Sequence, residues 1–339
     1  MDNASPLPNH WLVFRLGHLG DVVLCTGVLS WLAETRGWSF SFITRRPFAE
    51  IFAGNPHVRS VIALDEQELQ ASAFACLAGR IAGERQGQGL LDLHGSLRSR
   101  LLALRWRGPV LRYSKRSLER RLFLLSKGRL CREPLRASTV TQRYCLAVDS
   151  AAPSAAALLP RIWLTGPEQD NAARRLDGLF GSGARPVALH PFATHALKAW
   201  PEEHWNALAA MLDRAHRPWI AVGRGKALFP HRREDLSNST SLRETCALLS
   251  RCRVLVTGDS GPMHLAQAVG TPVAALFGPT TREWGFFPAG PNDTVLESGL
   301  TCRPCSLHGK KPCPGAGECL RAIRPETVFK AIEQTSATM

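Results

Sequence analysis

Residues 254–281, VLVTGDSGPMHLAQAVGTPVAALFGPTT, constrain the fold more tightly than any other stretch of the chain. Residues 254–256 are apolar, as in a short buried strand. Gly258-Asp-Ser-Gly261 needs little side-chain bulk and reads as a tight turn. Pro262 suits the first helical position, where its missing N–H costs nothing. Gly270 ends the helix, and residues 272–277 form a second buried strand. The N–H groups of Ser260, Gly261 and Met263 are expected to point out of the helix start. Orphan donors and the helix dipole together make an anion site there. The loop Gly278-Pro-Thr-Thr281 returns to the same sheet edge, where open α/β folds bind ligands. A nucleotide diphosphate is the natural occupant.

The same alternation runs through the chain. Residues 11–16 (WLVFRL) read as a strand, 17–21 (GHLGD) as a glycine loop and 22–36 as a helix. Strands follow at 39–44, 58–64 and 90–93, with a helix over 66–81 between the last two. Residues 149–160 (DSAAPSAAALLP) turn to Ala, Pro and Ser, which marks a domain junction. Beyond it the pattern restarts with a helix at 167–180 and a strand at 187–189. Helices at 202–215, 242–250 and 325–334 and a strand at 219–222 complete it. Strand–helix alternation specifies parallel sheets covered by helices. At 339 residues the chain exceeds what one core usually supports, so two domains are expected. Two similar α/β halves, each with a loop and helix start at its mouth, imply a cleft between them.

With 45% hydrophobic and 21% charged residues, this is the composition of an ordinary globular chain. No apolar run spans a bilayer. MDNASPLPNHW lacks a basic-then-apolar signal, so a cytoplasmic location is expected, with the ten cysteines as thiols or metal ligands. The net charge of +14 is concentrated: residues 98–136 carry thirteen Lys or Arg against Glu119 and Glu133, a surplus of +11. That density reads as a solvated face or as a surface for an anionic partner. Within it, SLERRLFLLSKGRL (117–130) can place Leu118, Leu122, Leu125 and Phe123 on one face of a basic helix. Such a helix either lies on an anionic membrane or packs its leucines into the core. A nucleic-acid surface is not expected, because Trp106, Tyr113 and Phe123 are its only interleaved aromatics.

Several residues could carry chemistry. Gly20-Asp21 follows the first strand; Asp21 either caps the next helix or presents a carboxylate at the cleft, the placement a general base needs. His190-Pro-Phe-Ala-Thr194 follows another strand, and Lys198 lies before a helix start, where it could neutralise a phosphate or face solvent. Asp259 reads as a cleft carboxylate or a cap, and His264 as a site residue or a structural histidine. Gly223-Arg-Gly225 is a fragment of a dinucleotide fingerprint and carries little weight. Cys302, Cys305, Cys313 and Cys319 lie within eighteen residues; a CxxC with two further cysteines can hold a structural zinc, with His308 as a substitute ligand. The remaining cysteines (25, 76, 131, 145, 246 and 252) read as scattered buried thiols.

Taken together, WLVFRLGHLGDVVLCTGVLSWL, GNPHVRSVI, LLDLHGSLRSRLLA, VALHPFATHALKAWPEEHW and TGDSGPMHLAQAVGTPVAALFGPT resemble, in this order and spacing, the family 9 glycosyltransferases. These are typified by the ADP-heptose:lipopolysaccharide heptosyltransferases. The cysteine-containing tail is similar as well. The resemblance implies a GT-B fold: two Rossmann-like domains facing across a cleft, over 1–155 for the acceptor and 156–324 for the nucleotide sugar. It implies that the final helix, 325–339, crosses back to the first domain. It also implies an inverting transfer that needs no metal or other cofactor for catalysis. Asp21 matches the family's general base, and Lys198 the lysine near the donor phosphates. Asp259, Ser260, Gly261, Met263 and His264 match the donor motif. Thr194, Thr280 and Thr281 join them as donor contacts, and Gly20, Arg45, Arg46 and Arg98 are expected at the acceptor. The implied partners are ADP-heptose, a phosphorylated glycolipid of the lipopolysaccharide core, and the anionic cytoplasmic face of the inner membrane. One departure stands out. Relatives often carry an acid in the loop after the strand at 219–222, where it can hold the ribose. Here that loop reads GRGKALFPHRRED, with Arg224 and Lys226 first and Glu234 and Asp235 late. This leaves open the transfer of another nucleotide sugar.

Overall fold

The computed structural model describes residues 7–306, 313, 315 and 317–337. In chain order the elements are β1 (His10–Phe14), α1 (Leu19–Arg36), β2 (Ser39–Arg45), β3 (Val58–Leu64), α2 (Ala71–Glu84), β4 (Gly89–Asp92), α3 (Leu97–Arg105) and β5 (Val110–Arg112). Three short helices follow: α4 (Ser117–Leu125), α5 (Arg132–Arg136) and α6 (Val140–Cys145). Then come α7 (Gly166–Phe180), β6 (Val187–His190), α8 (Glu202–Arg214), β7 (Trp219–Ala221), α9 (Leu242–Ser250), β8 (Val254–Gly258), α10 (Gly261–Ala268) and β9 (Val273–Phe277). The chain finishes with β10 (Thr294–Glu297), α11 (Glu318–Arg321) and α12 (Pro325–Ala337).

The strands form two five-stranded sheets, ordered β3-β2-β1-β4-β5 and β10-β9-β8-β6-β7, and every pairing is parallel. A parallel sheet is covered on both faces, so its central strands are continuously apolar. β8 and β9 are buried at every residue, and β1 at all but its first. The edge strands β5 and β10 escape sequence reading. VLR and TVLE are short and half-exposed, so they lack the buried run that marks a central strand.

Two units result. One comprises the residues up to Lys115 together with Thr141–Leu158; the other comprises Arg116–Val140 and the chain from Leu159 onward. The expected boundary at 155 falls three residues from Leu158, but the excursion 116–140 was not anticipated. Phe123 and Leu135 explain it: both are fully buried in a small cluster with Trp284. Phe123 meets the Trp284 ring edge-on at 5.5 Å. Arg120 donates to the Trp284 carbonyl at 3.3 Å, and the Val140 N–H donates to the Gly285 carbonyl at 2.9 Å.

Phe123 does not share a face with Leu118, Leu122 and Leu125; it is buried while those leucines are 70%, 36% and 81% exposed. Leu118, Leu122 and Leu125 therefore do not enter the core, whereas Leu124 packs beside Phe123. The final helix packs on α8 and on β8, β9 and β10 of its own unit, with Val328 and Ile332 in that unit's core and Glu333 paired with Arg217 at 2.7 Å. Among the described residues no helix is long and apolar enough to cross a membrane.

The contrast along α4 is testable. Phe123→Ala should cost about 3 kcal/mol of unfolding free energy, as expected for a buried aromatic. Leu125→Ser should change it by no more than about 0.5 kcal/mol. Urea titration of the two variants checks both.

Candidate functional site

In the first sheet the chain builds outward from β1 through β2 to β3, then restarts on the other side of β1 with β4 and β5. The reversal lies between β1 and β4, and the crevice outside the carboxyl ends of such strands is where open α/β sheets take ligands. The loop after β1 and the start of α1 supply Arg15, Gly17, Gly20 and Asp21, and the loop after β4 supplies His94. Asp21 does not cap its helix: His18 is the N-cap, with no side-chain cap bond. Instead Asp21 Oδ2 pairs with Arg15 Nη2 at 2.6 Å, both side chains being almost fully buried. Arg15 Nη1 donates to the Leu93 carbonyl at 2.5 Å, and its guanidinium lies 5.6 Å from the centre of the Tyr144 ring. One guanidinium thus ties the end of β4 to the start of α1.

The other carboxylate oxygen, Asp21 Oδ1, is enclosed without a hydrogen-bond partner, as is His94 Nδ1. A Cβ on Gly17 would lie 3.1 Å from His94 Cε1 and 3.8 Å from Asp21 Oδ2, so imidazole and carboxylate flank the same glycine. Burial, with repulsion from Arg15 and Lys115, pushes the His94 pKa down to about 4. His94 is therefore neutral at pH 7. Each of the expected acceptor arginines has a partner within the protein. Arg45 pairs with Glu66 at 2.8 Å, Arg46 holds Asp65 through two bonds of 2.5 and 2.7 Å, and Arg98 donates twice to the Leu69 carbonyl.

In the second sheet the reversal falls between β6 and β8. Lys198, in a short turn after β6, sits 2.5 Å from Asp259 Oδ2, and Thr280 Oγ1 from the loop after β9 donates to the same oxygen at 2.8 Å. Three loops thus converge on one carboxylate at the switch point. Asp259 is not a cap either, since Ser260 is the N-cap of α10. An ammonium has three donors, so Lys198 keeps capacity for an anionic ligand while paired. Behind this cluster, His190 Nδ1 lies 3.1 Å from Thr257 Oγ1 and 3.5 Å from Ser260 Oγ. Burial holds the His190 pKa down to about 4.

The other expected donor residues divide. The Met263 N–H does not point outward; it donates to the Ser260 carbonyl at 3.2 Å, and the Met263 side chain is fully buried. His264 is buried with Nδ1 3.3 Å from Gln267 Oε1, which fits the structural reading of that residue. Gly261 opens α10, Thr194 is exposed, and Thr281 Oγ1 is enclosed without a partner. Gly223 has φ +122°, and a Cβ there would lie 2.6 Å from the His190 ring. A Cβ on Gly225 would lie 2.5 Å from the Phe192 ring, so the Gly-Arg-Gly fragment answers to packing. Glu234 pairs with Arg232 at 3.1 Å, and Asp235 accepts from the Phe229 and Ser237 N–H groups at 3.0 and 2.9 Å.

Of the four C-terminal cysteines, Cys302 is exposed, Cys305 and Cys313 are half-buried and Cys319 is buried. Burial raises the thiol pKa of Cys305 and Cys319. Among the described residues no group of three or more His, Cys, Asp or Glu is placed to hold a metal ion, and His308 lies outside them. Of the other cysteines, 25, 145, 246 and 252 are buried as expected, but Cys76 is exposed and Cys131 half-buried. Sequence reading passed over Arg15 and His94. Their signal was position: a cation closing an otherwise apolar strand, and a histidine directly after the strand at the switch point.

The family model of glycosyltransferase family 9 (heptosyltransferase) matches residues 83–313. The chain belongs to that family. A family 9 glycosyl transferase from Veillonella parvula superposes with a TM-score of 0.75 over 98% of both chains at 18% identity. The E. coli ADP-heptose lps heptosyltransferase II superposes with a TM-score of 0.70 over 97% of this chain and 99% of that one at 21% identity. These likenesses establish the fold, two Rossmann-like units of the GT-B class. The lipooligosaccharide heptosyltransferase 2 of Campylobacter jejuni is 27% identical over 174 residues, 46% of this chain and 52% of that protein. The chain thus spans about half the length of this curated relative.

The two neutral histidines set a pH dependence. Unfolded, each takes a proton near pH 6.5; folded, only near pH 4. Below pH 6.5 the unfolded chain binds more protons at these two sites, so their contribution to stability falls as pH drops and levels off below about 4. The loss should approach roughly 3 kcal/mol per histidine. Urea unfolding across this range checks it, and His94→Gln should flatten the curve by one proton's worth.

Proposed function

We propose that the chain transfers a heptose from ADP-heptose to a phosphorylated glycolipid of the lipopolysaccharide core, with inversion and without a metal. The carrying observation is the Asp21 carboxylate, held by Arg15 through one oxygen and unpartnered at the other. A buried oxygen without a donor is costly, and an acceptor hydroxyl is the donor that satisfies it. On this reading the hydroxyl oxygen attacks the anomeric carbon and its proton passes to Asp21. The bond from that carbon to the diphosphate oxygen breaks, and ADP leaves with the electron pair.

At the donor, Lys198 and the start of α10 offset the charge that grows on the diphosphate, with Thr280 and Thr281 as further donors. Each preorganised donor of this kind contributes on the order of 3 kcal/mol to the transition state. The positive potential comes from an ammonium and a helix terminus, so no metal is asked of the reaction. The acceptor would be met at the cytoplasmic face of the inner membrane. A second reading, transfer from another nucleotide sugar, is favoured by one observation: both late acids of the loop after β7, Glu234 and Asp235, are already committed within the protein.

Thermal stabilisation by ADP, ADP-heptose, UDP, UDP-sugars and GDP-sugars separates the readings. ADP compounds should raise the midpoint selectively and EDTA should not alter the shift; a preference for UDP or GDP compounds would replace the donor. Asp21→Asn should reduce turnover by at least about a hundredfold while ADP still stabilises the variant. Turnover near the wild-type rate would remove Asp21 as the base. Lys198→Ala should lower turnover by roughly a hundredfold. The zinc expectation is separate: metal analysis finding one zinc per chain, lost in Cys305→Ser, would support it, and none would end it.

A further inference from the structure

The excursion 116–140 is anchored through Phe123 and Leu135. Phe123 on α4 is buried against Trp284, whereas Leu118, Leu122 and Leu125, spaced so as to share the opposite face, are 70%, 36% and 81% exposed. Leu130, in the turn that follows, is 56% exposed. Arg121, Lys127 and Arg129 stand exposed among these leucines. The one acid of residues 117–130, Glu119, lies 3.6 Å from Arg116. We propose that residues 117–130 form a membrane-docking face, whose leucines enter the headgroup region of an anionic bilayer while the flanking cations meet lipid phosphates. This rests on the proposed reading only for its purpose, which is to hold the enzyme where a glycolipid acceptor lies.

Charge selects this occupant over the alternatives. A second copy of the chain would bring like-charged rims together across a two-fold interface. A nucleic acid would use the cations and leave the leucines in water. An anionic bilayer satisfies both, because apolar side chains and basic rims engage it together. The pattern recurs on α3, where Leu97 and Leu104 are 83% and 84% exposed, beside the exposed Arg100, Arg105 and Arg107. Of the nine exposed large apolar residues among the described ones, seven fall between Leu97 and Leu130, the stretch that also holds most of the net positive charge.

Co-sedimentation of the full chain with phosphatidylglycerol–phosphatidylethanolamine vesicles, against phosphatidylcholine vesicles, tests this. The wild type should bind the anionic vesicles selectively. The triple variant Leu118→Ser, Leu125→Ser, Leu130→Ser should bind about tenfold or more weakly, with an unchanged melting temperature. Arg121→Gln, Lys127→Gln, Arg129→Gln should weaken binding roughly a hundredfold. Wild-type vesicle binding by the serine variant would overturn the proposal. So would a serine variant that loses only a dimer seen by sedimentation velocity. Stabilisation by ADP, measured without vesicles, should be the same in all three proteins. Its failure would strike the transferase reading and leave the docking result standing.

Discussion

A parallel sheet cannot be closed by tight turns. Each strand must be followed by a crossover, so the carboxyl ends of all strands lie at one edge. Where the chain stops adding strands on one side and restarts on the other, two crossovers diverge and leave a crevice at that edge. Both units of this protein obey the constraint, with reversals between β1 and β4 and between β6 and β8. The candidate chemistry sits at those reversals. Asp21, Arg15 and His94 come from the loops beside the first, and Lys198 and Asp259 from those beside the second.

At each reversal one ion pair does the assembling. Arg15 reaches from the end of β1 to the Leu93 carbonyl and to Asp21. Asp259 collects Lys198 and Thr280. Both pairs are largely buried, which makes either partner costly to remove, because the survivor keeps a desolvated charge. The buried histidines have a different part. His190 and His94 are kept neutral by burial; His190 hydrogen-bonds Thr257, while His94 Nδ1 stands enclosed without a partner. The glycines at 17 and 223 belong to the same construction, since each leaves room for one of those rings.

Legibility followed burial. β8, α10 and β9 could be read because an apolar run, glycine punctuation and an N-terminal proline all point the same way. Asp21, Lys198 and Asp259 could be placed at loop mouths because they directly follow or precede elements of that kind. β5 and β10 were missed because an edge strand buries little. The excursion 116–140 was missed because its reason is a contact between Phe123 and Trp284, 161 positions apart. A sequence does not show that Arg45, Arg46 and Arg98, the expected acceptor contacts, also hold Glu66, Asp65 and the Leu69 carbonyl.

The sequence by itself determined the alternation of strands and helices, the two-unit plan, the family and the loops that carry the site, because periodicity and turn chemistry are local properties. Only the tertiary structure decided which charges are paired, that α12 packs on α8, and that Leu118, Leu122 and Leu125 face outward while Phe123 faces in. Those outcomes depend on partners distant in the chain, and a side chain's orientation is settled by whichever distant surface offers it burial or an opposite charge.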